Sequence, residues 1–271
     1  MSSLAFPPAN KRLGQNFLID PNIVRKIVAL AELTPEDTVL EIGPGRGVLT
    51  EALSAAAGTV VAVEIDPLLH RLLRERQAEW PNVELVCGDA LRYPIERLPV
   101  GTIVVANLPY YLSTPLLFRL LEGRARFPRM VLMLQEEVAD RLAAKPGTAD
   151  YGVLSVMAQY AAEIGKAFKV SANCFRPRPE VGSAVVLLRT KERTPLAPEQ
   201  EPAFAALVRA AFAHRRKTLV NSLRDEGYEP SSVLGALSGL GLAPAIRAER
   251  LTLDTFVALV GRLADPHAPG A

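Results

Sequence analysis

The sequence predicts an α/β protein with a mostly parallel sheet, followed by a small all-α domain at the C-terminal end. Apolar, β-branched runs recur over the first two thirds of the chain, and amphipathic segments of helical length separate several of them. In the last third, only helical spacing is found after a polar stretch that is rich in proline. The predicted domains are therefore 1–190, which includes an N-terminal arm, and 191–271.

Each element follows from the spacing of its apolar residues. The predicted strands are 38–42, 59–65, 83–86, 102–106, 130–134 and 185–188. The predicted helices are 22–33, 48–57 and 67–80 in the first domain, and 203–213, 217–225, 231–239 and 253–263 in the second.

The bulk composition excludes several classes of protein. Apolar residues make up 49% and charged residues 22%, which is typical of a folded chain. The net charge is only +2, so any affinity for nucleic acid must come from local basic clusters. No secretory signal and no apolar run of roughly 18 residues is found, so we expect a cytoplasmic protein that does not bind a membrane. Cys87 and Cys174 have no nearby ligand cluster, so no metal site is expected.

A glycine-rich turn follows the first predicted strand, where Gly43, Gly45 and Gly47 allow a tight bend and the close approach of a ligand. Such a turn also occurs in ordinary strand-to-helix connections, so it needs a second observation. Glu64 ends the next strand about twenty residues further on, where a carboxylate accepts hydrogen bonds from both ribose hydroxyls. Together these features indicate a cofactor that contains adenosine.

Two further carboxylates bear on the identity of this cofactor. Glu41 precedes the first glycine, where it would repel a pyrophosphate and attract a ligand that carries a sulfonium and an ammonium group. Asp89 follows the third strand, where it either accepts the N6 hydrogens of an adenine or caps a turn. The order of these residues resembles that in class I methyltransferases, which bind S-adenosylmethionine.

The fourth strand ends in the sequence Asn-Leu-Pro-Tyr, at the edge where open α/β sheets bind their ligands. The side-chain oxygen of Asn107 and the carbonyl of Leu108 can each accept one hydrogen of an exocyclic amine, which aims the nitrogen lone pair at a methyl group. Pro109 stiffens this loop, and Tyr110 is positioned to stack on an extruded base. The alternative is a plain strand-to-helix turn with Tyr110 packed at its edge.

A proline-rich loop at 173–179 contains Phe175, which is either the second wall of a base sandwich or an anchor in the core. Cys174 beside it suggests the covalent cysteine of cytosine-C5 methyltransferases. However, the acceptors of the Asn-Leu-Pro-Tyr loop suit an exocyclic amine, so we interpret Cys174 as structural.

Together with the N-terminal sequence Leu-Gly-Gln-Asn-Phe-Leu at 13–18 and the segment 212–223, these motifs resemble the KsgA family of small-subunit ribosomal RNA adenine dimethyltransferases. The resemblance covers nearly the whole chain. It implies a monomer that takes part in ribosome biogenesis. The implied reaction is dimethylation of N6 on two adjacent adenines in a hairpin loop near the 3′ end of 16S rRNA, with S-adenosylmethionine as the methyl donor.

The predicted site combines the motifs and this resemblance. The residues expected around S-adenosylmethionine are Gln15, Asn16, Leu18, Glu41, Gly43, Gly45, Glu64, Asp89, Ala90 and Asn107. Those expected at the target base are Asn107, Leu108, Pro109, Tyr110 and Phe175.

Basic clusters are the candidates for RNA phosphates, although a charged run is also typical of a solvated face. The predicted RNA-binding residues are Lys11, Arg12, Arg215, Arg216 and Lys217, and Arg124, Arg126 and Arg129 offer further cations.

Three other functions remain open. A large-subunit dimethylase of the macrolide-resistance type shares the catalytic motifs, but the segment 212–223 argues against it. A DNA adenine methyltransferase usually has two prolines where this chain has Leu108 and Pro109. A ribosome-assembly factor that holds immature small subunits without catalysis is compatible with the same motifs.

Overall fold

The computed structural model describes residues 7–10, 13–263 and 266, which form two compact units, each with its own apolar core. The first unit combines Met1–Ala139 with Glu163–Thr190, and the second combines Asp140–Ala162 with Lys191–Ala271, each over its described residues. No helix in the described part of the chain is long and apolar enough to span a membrane.

A seven-stranded sheet forms the centre of the first unit. The strands of the described chain are β1 (Phe17–Leu18), β2 (Thr38–Ile42), β3 (Thr59–Glu64), β4 (Val83–Cys87), β5 (Ile103–Asn107), β6 (Arg129–Gln135), β7 (Ala162–Val170), β8 (Phe175–Arg176) and β9 (Ser183–Thr190). The strand order of the sheet is β4-β3-β2-β5-β6-β9-β7, in which β2 to β6 run parallel and β9 runs antiparallel to β6. This arrangement confirms the predicted α/β class.

The helices of this unit are α1 (Pro21–Ala31), which precedes β2, and α2 (Val48–Ser54), α3 (Pro67–Glu75) and α4 (Ser113–Glu122), which connect parallel strands. The next helix, α5 (Glu136–Ala143), leads into the second unit. Asp20 and Asp66 each cap a helix that begins with proline, by accepting the N–H of Asn22 and of Leu68. An aspartate followed by proline thus fixes the start of α1 and of α3.

The second unit is helical, with α6 (Val153–Ala161), α7 (Glu201–Phe212), α8 (Leu219–Asp225), α9 (Pro230–Gly239) and α10 (Leu253–Val260). It differs from the predicted second domain because it includes 140–162, which the sequence assigns to the first. The reason is packing: Tyr151, Val156 and Tyr160 are buried in the second core, where the Tyr160 ring stacks on Phe204 with 4.4 Å between ring centroids. The chain therefore enters this unit twice.

The strand order places a binding crevice at one edge of the sheet. The chain goes from β2 to β3 on one side, whereas β5 lies on the other side of β2. Helical connections diverge at such a switch point, so ligands of open α/β sheets bind beyond the carboxyl ends of these strands. The glycine turn follows β2, Glu64 ends β3 and Asn107 ends β5.

Candidate cofactor and target-base site

The glycine turn has a backbone conformation that side chains disfavour. Gly43, Gly45 and Gly47 have φ angles of 71°, 60° and 78°. A Cβ atom on Gly47 would lie 2.7 Å from the Trp80 ring, and one on Gly45 would lie 3.0 Å from the Phe17 ring. The left-handed backbone therefore favours glycine at all three positions, and the lack of space adds to this at Gly45 and Gly47.

The carboxylate of Glu64 is bound to the backbone on both sides. Its Oε2 atom accepts the N–H of Gly45 at 3.0 Å, and its Oε1 atom accepts the N–H of Asp66 at 2.9 Å. Burial raises the pKa of Glu64, and these hydrogen bonds oppose that shift. Each oxygen retains a second lone pair for a hydroxyl donor, as the predicted contact with ribose requires.

Glu41 is a buried acid whose carboxylate oxygens make no hydrogen bond within the described residues. Burial raises its pKa to about 8, and the charge of Glu64 adds to the shift. The hydroxyl of Thr50 lowers this pKa from nearby without a hydrogen bond of normal geometry. A buried carboxyl group of this kind gains free energy from a nearby cation.

Two adjoining clefts contain these carboxylates. One is lined by Glu64 and the other by Glu41. The residues that line both clefts are Phe17, Gly43, Gly45 and Asn107. A ligand that spans both clefts would meet Glu64 at one end and Glu41 at the other.

Asp89 and Ala90 line a further cavity together with Gly43 and Pro109. The Oδ1 atom of Asp89 accepts the N–H of Leu91 at 2.9 Å, as expected for a turn cap. Its Oδ2 atom lies 3.9 Å from Nε of the exposed Arg92. Oδ1 thus caps the turn, whereas Oδ2 forms only a weak surface ion pair and can accept a hydrogen from an adenine amino group. The two predicted roles of Asp89 are therefore compatible.

The N-terminal arm, residues 13–18, lies over the glycine turn. Its strand β1 pairs with β8, and Leu18 is buried beside the cleft that contains Glu41. The carbonyl of Asn16 accepts a hydrogen bond from Nδ2 of Asn107 at 3.2 Å. Gln15 lines the other cleft, but its side-chain amide donates to Asp66 at 2.9 Å. The sequence does not indicate Asp66 as a partner, because that residue is typical of a helix cap.

The Asn-Leu-Pro-Tyr loop is fixed by hydrogen bonds along its length. The N–H of Leu108 donates to the carbonyl of Met133 at 3.1 Å, and the carbonyl of Pro109 accepts the hydroxyl of Ser113 at 3.0 Å. The hydroxyl of Tyr110 lies 2.8 Å from Oγ of Ser183. Its pKa is raised, mainly by burial, so Tyr110 stays neutral. Ser183 is thus a partner of Tyr110 that the sequence motifs do not reveal.

Phe175 does not form the second wall of a base sandwich in this structure. Its side chain is 0% exposed and belongs to the core of the first unit, because the pairing of β8 with β1 turns it inward. The alternative interpretation, a core anchor, is the one that the structure supports. Cys174 donates to Asp20, and burial raises the pKa of the thiol, in agreement with a structural role.

The basic residues differ in their surroundings. Arg215 and Arg216 are exposed between α7 and α8, whereas Lys217 forms an ion pair with Asp225 and lowers the pKa of that carboxyl group. Arg126 donates to a backbone carbonyl, and Arg129 pairs with Glu32. Lys11 and Arg12 lie outside the described residues.

The fold and this site define a class I methyltransferase that uses S-adenosylmethionine. Residues 8–265 match the family described as "Ribosomal RNA adenine dimethylase". The chain belongs to the ribosomal RNA adenine dimethylase family.

Individual relatives agree with this assignment. "Ribosomal RNA small subunit methyltransferase A" of Moorella thermoacetica is 47% identical over 92% of this chain and 90% of its own length. The protein of the same name from Pelotomaculum thermopropionicum is 46% identical over 94% and 91%.

Two solved structures are similar over most of the chain. A dimethyladenosine transferase from Plasmodium falciparum has a TM-score of 0.79 and 28% identity, and covers 91% of this chain and 99% of its own. The 23S rRNA methyltransferase ErmE has a TM-score of 0.71 and 30% identity, over 92% and 99%.

The raised pKa of Glu41 predicts a loss of stability at high pH. The folded-state pKa of about 8 lies above the ordinary value of 4.5, so between these values the folded chain binds more protons than the unfolded chain. The contribution of Glu41 to the free energy of unfolding is most favourable below pH 4.5 and is lost as the pH rises through about 8. Glu41→Gln should therefore gain stability relative to the native sequence as the pH rises across this range.

Urea unfolding of the ligand-free protein at a series of pH values measures this effect. Glu84→Gln, at an exposed position of β4, is the matched control and should show no such trend. A stability difference for Glu41→Gln that is the same at every pH would contradict the assignment.

Proposed function

We propose that this chain transfers methyl groups from S-adenosylmethionine to N6 of two adjacent adenines in the 3′-terminal hairpin loop of 16S rRNA, during small-subunit biogenesis. It would act as a monomer in the cytoplasm. The observation that carries the reaction is the orientation of Asn107. Its Nδ2 atom donates to the Asn16 carbonyl at 3.2 Å, which leaves Oδ1 as the atom available to accept from an amine.

The residues present fit S-adenosylmethionine. Glu64 offers acceptors for two ribose hydroxyls, and Asp89 offers Oδ2 for an adenine amino group. The carboxyl group of Glu41, buried and without a hydrogen bond, suits the ammonium group of the methionine moiety. A pyrophosphate at the same place would meet two buried carboxyl groups, which disfavours a dinucleotide.

When bound, S-adenosylmethionine supplies a methyl group on a positively charged sulfur. The protein has to present a poor nucleophile to it, because the N6 lone pair of adenine is delocalised into the ring. The Oδ1 atom of Asn107 and the carbonyl oxygen of Leu108 each accept one N6 hydrogen, which turns the lone pair toward the methyl group. The hydrogen bond from the Leu108 N–H to the carbonyl of Met133 holds the peptide between Asn107 and Leu108 in place.

Tyr110 would bind the extruded base by stacking. Its ring lines the same cleft as Asn107, and the hydroxyl contact with Ser183 fixes its direction. No general base is needed, because the nitrogen becomes acidic once it is methylated and its proton can leave to solvent. The raised pKa of Tyr110 argues against this phenol as an acceptor of that proton.

The choice of the small subunit rests on the relatives. Those named as small-subunit methyltransferases are 43–47% identical to this chain, whereas the 23S rRNA methyltransferase ErmE is 30% identical. The difference favours the small-subunit RNA over the large-subunit alternative.

A purified preparation should dimethylate two adjacent adenines in small subunits that lack this modification, as measured by mass spectrometry of the RNA, and it should leave large-subunit RNA unmodified. Modification of large-subunit RNA instead would contradict the proposal.

Asn107→Ala should lower the rate of methyl transfer about a hundredfold or more, while the affinity for the RNA particle changes little. The reason is that the proposed hydrogen bonds orient N6 in the transition state and contribute little to docking. Single-turnover methylation at saturating RNA measures the rate. Asn173→Ala, at an exposed position, is the matched control, and a native rate for Asn107→Ala would exclude the mechanism.

We further propose that Arg215 and Arg216 bind phosphates of the RNA. Both are exposed in the loop between α7 and α8. Lys217 is a weaker candidate than the sequence predicts, because Asp225 already neutralises it. Lys11 and Arg12 remain candidates from the sequence alone.

Charge reversal at Arg215 and Arg216 together should weaken binding of the particle and reduce the slope of log affinity against log salt by on the order of one unit per lost phosphate contact. The affinity for S-adenosylmethionine should stay the same. The matched control reverses Arg71 and Arg74, two exposed arginines of α3. An unchanged salt slope would identify the Arg215 and Arg216 loop as a solvated surface.

A further inference from the structure

Hydrogen bonds connect the N-terminal arm to the glycine turn. Nε2 of Gln15 donates to Oδ2 of Asp66 at 2.9 Å, and the N–H of Asp66 donates to Oε1 of Glu64 at 2.9 Å. The other oxygen of Glu64 accepts the N–H of Gly45 at 3.0 Å. The arm is thereby fixed to the carboxylate that is proposed to bind ribose.

The arm also contacts the target-base loop, one residue further along. The carbonyl of Asn16 accepts the hydrogen bond from Nδ2 of Asn107 at 3.2 Å. The neighbouring Gly14 has a φ angle of 56°, and the ring of Tyr111 packs against it. The position of the Asn16 carbonyl therefore depends on what holds residues 13–16 in place.

We infer that Gln15 and Asp66 are positioning residues for methyl transfer: their hydrogen bond, here called the latch, holds the arm so that the Asn16 carbonyl orients Asn107. The inference rests on the proposed function. It replaces the expected direct contact of Gln15 with S-adenosylmethionine by a contact within the protein.

Both partners of the latch are fixed by other bonds. Oδ1 of Asp66 accepts the N–H of Leu68 at 3.0 Å, as the cap of α3, which leaves Oδ2 for Gln15. Oε1 of Gln15 accepts the N–H of Asn10 at 2.8 Å, which leaves its NH₂ group to donate. In the latch, the amide nitrogen of Gln15 is therefore the donor and Oδ2 of Asp66 is the acceptor. Substitution of both residues can exchange these two roles.

The consequence for catalysis follows because the side-chain amide of Asn107 has an oxygen that accepts hydrogen bonds and a nitrogen that donates them. With the Asn16 carbonyl in place, Asn107 presents an acceptor to the target amine. Without it, rotation of the amide by half a turn would present a donor, which cannot accept an N6 hydrogen. Loss of the latch should therefore lower the rate of methyl transfer more than it lowers the affinity for RNA.

A pair of substitutions tests the latch. Gln15→Glu places two carboxylates together, and Asp66→Asn places two amides together. In the double variant the new amide donates to the new carboxylate, while the bonds to Leu68 and Asn10 can still form. Each single variant should lower the single-turnover rate at saturating RNA and S-adenosylmethionine about tenfold, and the double variant should recover to within about threefold of the native rate.

Asp20→Asn is the matched control for the helix-capping role. Asp20 caps α1 before a proline, as Asp66 caps α3, but its remaining oxygen accepts from Cys174 and not from the arm. This variant should keep the native rate. A similar loss in Asp20→Asn would show that the rate responds to the cap and would overturn the inference.

Hydrogen exchange of the amides of residues 13–18 in the ligand-free protein supplies a readout without RNA. Exchange should be faster in each single variant and return to the native rate in the double variant. A double variant that is as slow in catalysis as the single variants would overturn the inference, as would native catalytic rates in all three. If the native protein does not methylate small subunits, the proposed function fails, and the exchange data still decide whether the latch exists.

Discussion

The site depends on the hydrogen bond from the Gly45 N–H to the carboxylate of Glu64. This bond ties the turn after β2 to the end of β3, and a second bond to the same carboxylate fixes the start of α3 through Asp66. Because both bonds are buried, they cannot be exchanged for bonds to water without a cost in free energy. The shape of the cleft and the charge at its base therefore come from one side chain.

The rest of the site is built outward from this point. The arm is fixed to Asp66 on one side and contacts Asn107 on the other, so the proposed cofactor cleft and the proposed target-base loop share a boundary. Glu41 contributes in a different way, since its buried carboxyl group lacks a hydrogen-bond partner within the described residues. We expect this group to be the place where a cation gains most from the protein.

The sequence predicts the parts of the structure that depend on local patterns. The strand 38–42, the glycine turn and the position of Glu64 follow from an apolar run, from backbone sterics and from spacing, and the structure has all three. The edge strand β7 does not follow, because polar residues and a glycine interrupt its apolar pattern. The assignment of 140–162 is wrong for a related reason: these side chains pack in a core built mainly by residues beyond 190.

Individual roles in the site show the same limit. The burial of Phe175 depends on the pairing of β8 with β1, and the neutralisation of Lys217 depends on Asp225 one helix later. The sequence predicts Gln15 at the cofactor, whereas the side-chain amide of Gln15 donates to Asp66, about fifty residues away in sequence. Sequence motifs identify which residues gather at a site, but the partner of each side chain depends on tertiary contacts.

The affinity of the Glu64→Gln variant for S-adenosylmethionine, measured by titration calorimetry, tests the central role of this carboxylate most directly. The variant keeps the size of the side chain but loses its charge and one acceptor, so binding should weaken about tenfold or more. Glu84→Gln on the neighbouring strand should bind as the native protein does. Native affinity in Glu64→Gln would contradict the account, because the carboxylate would then shape the turn without binding the ligand.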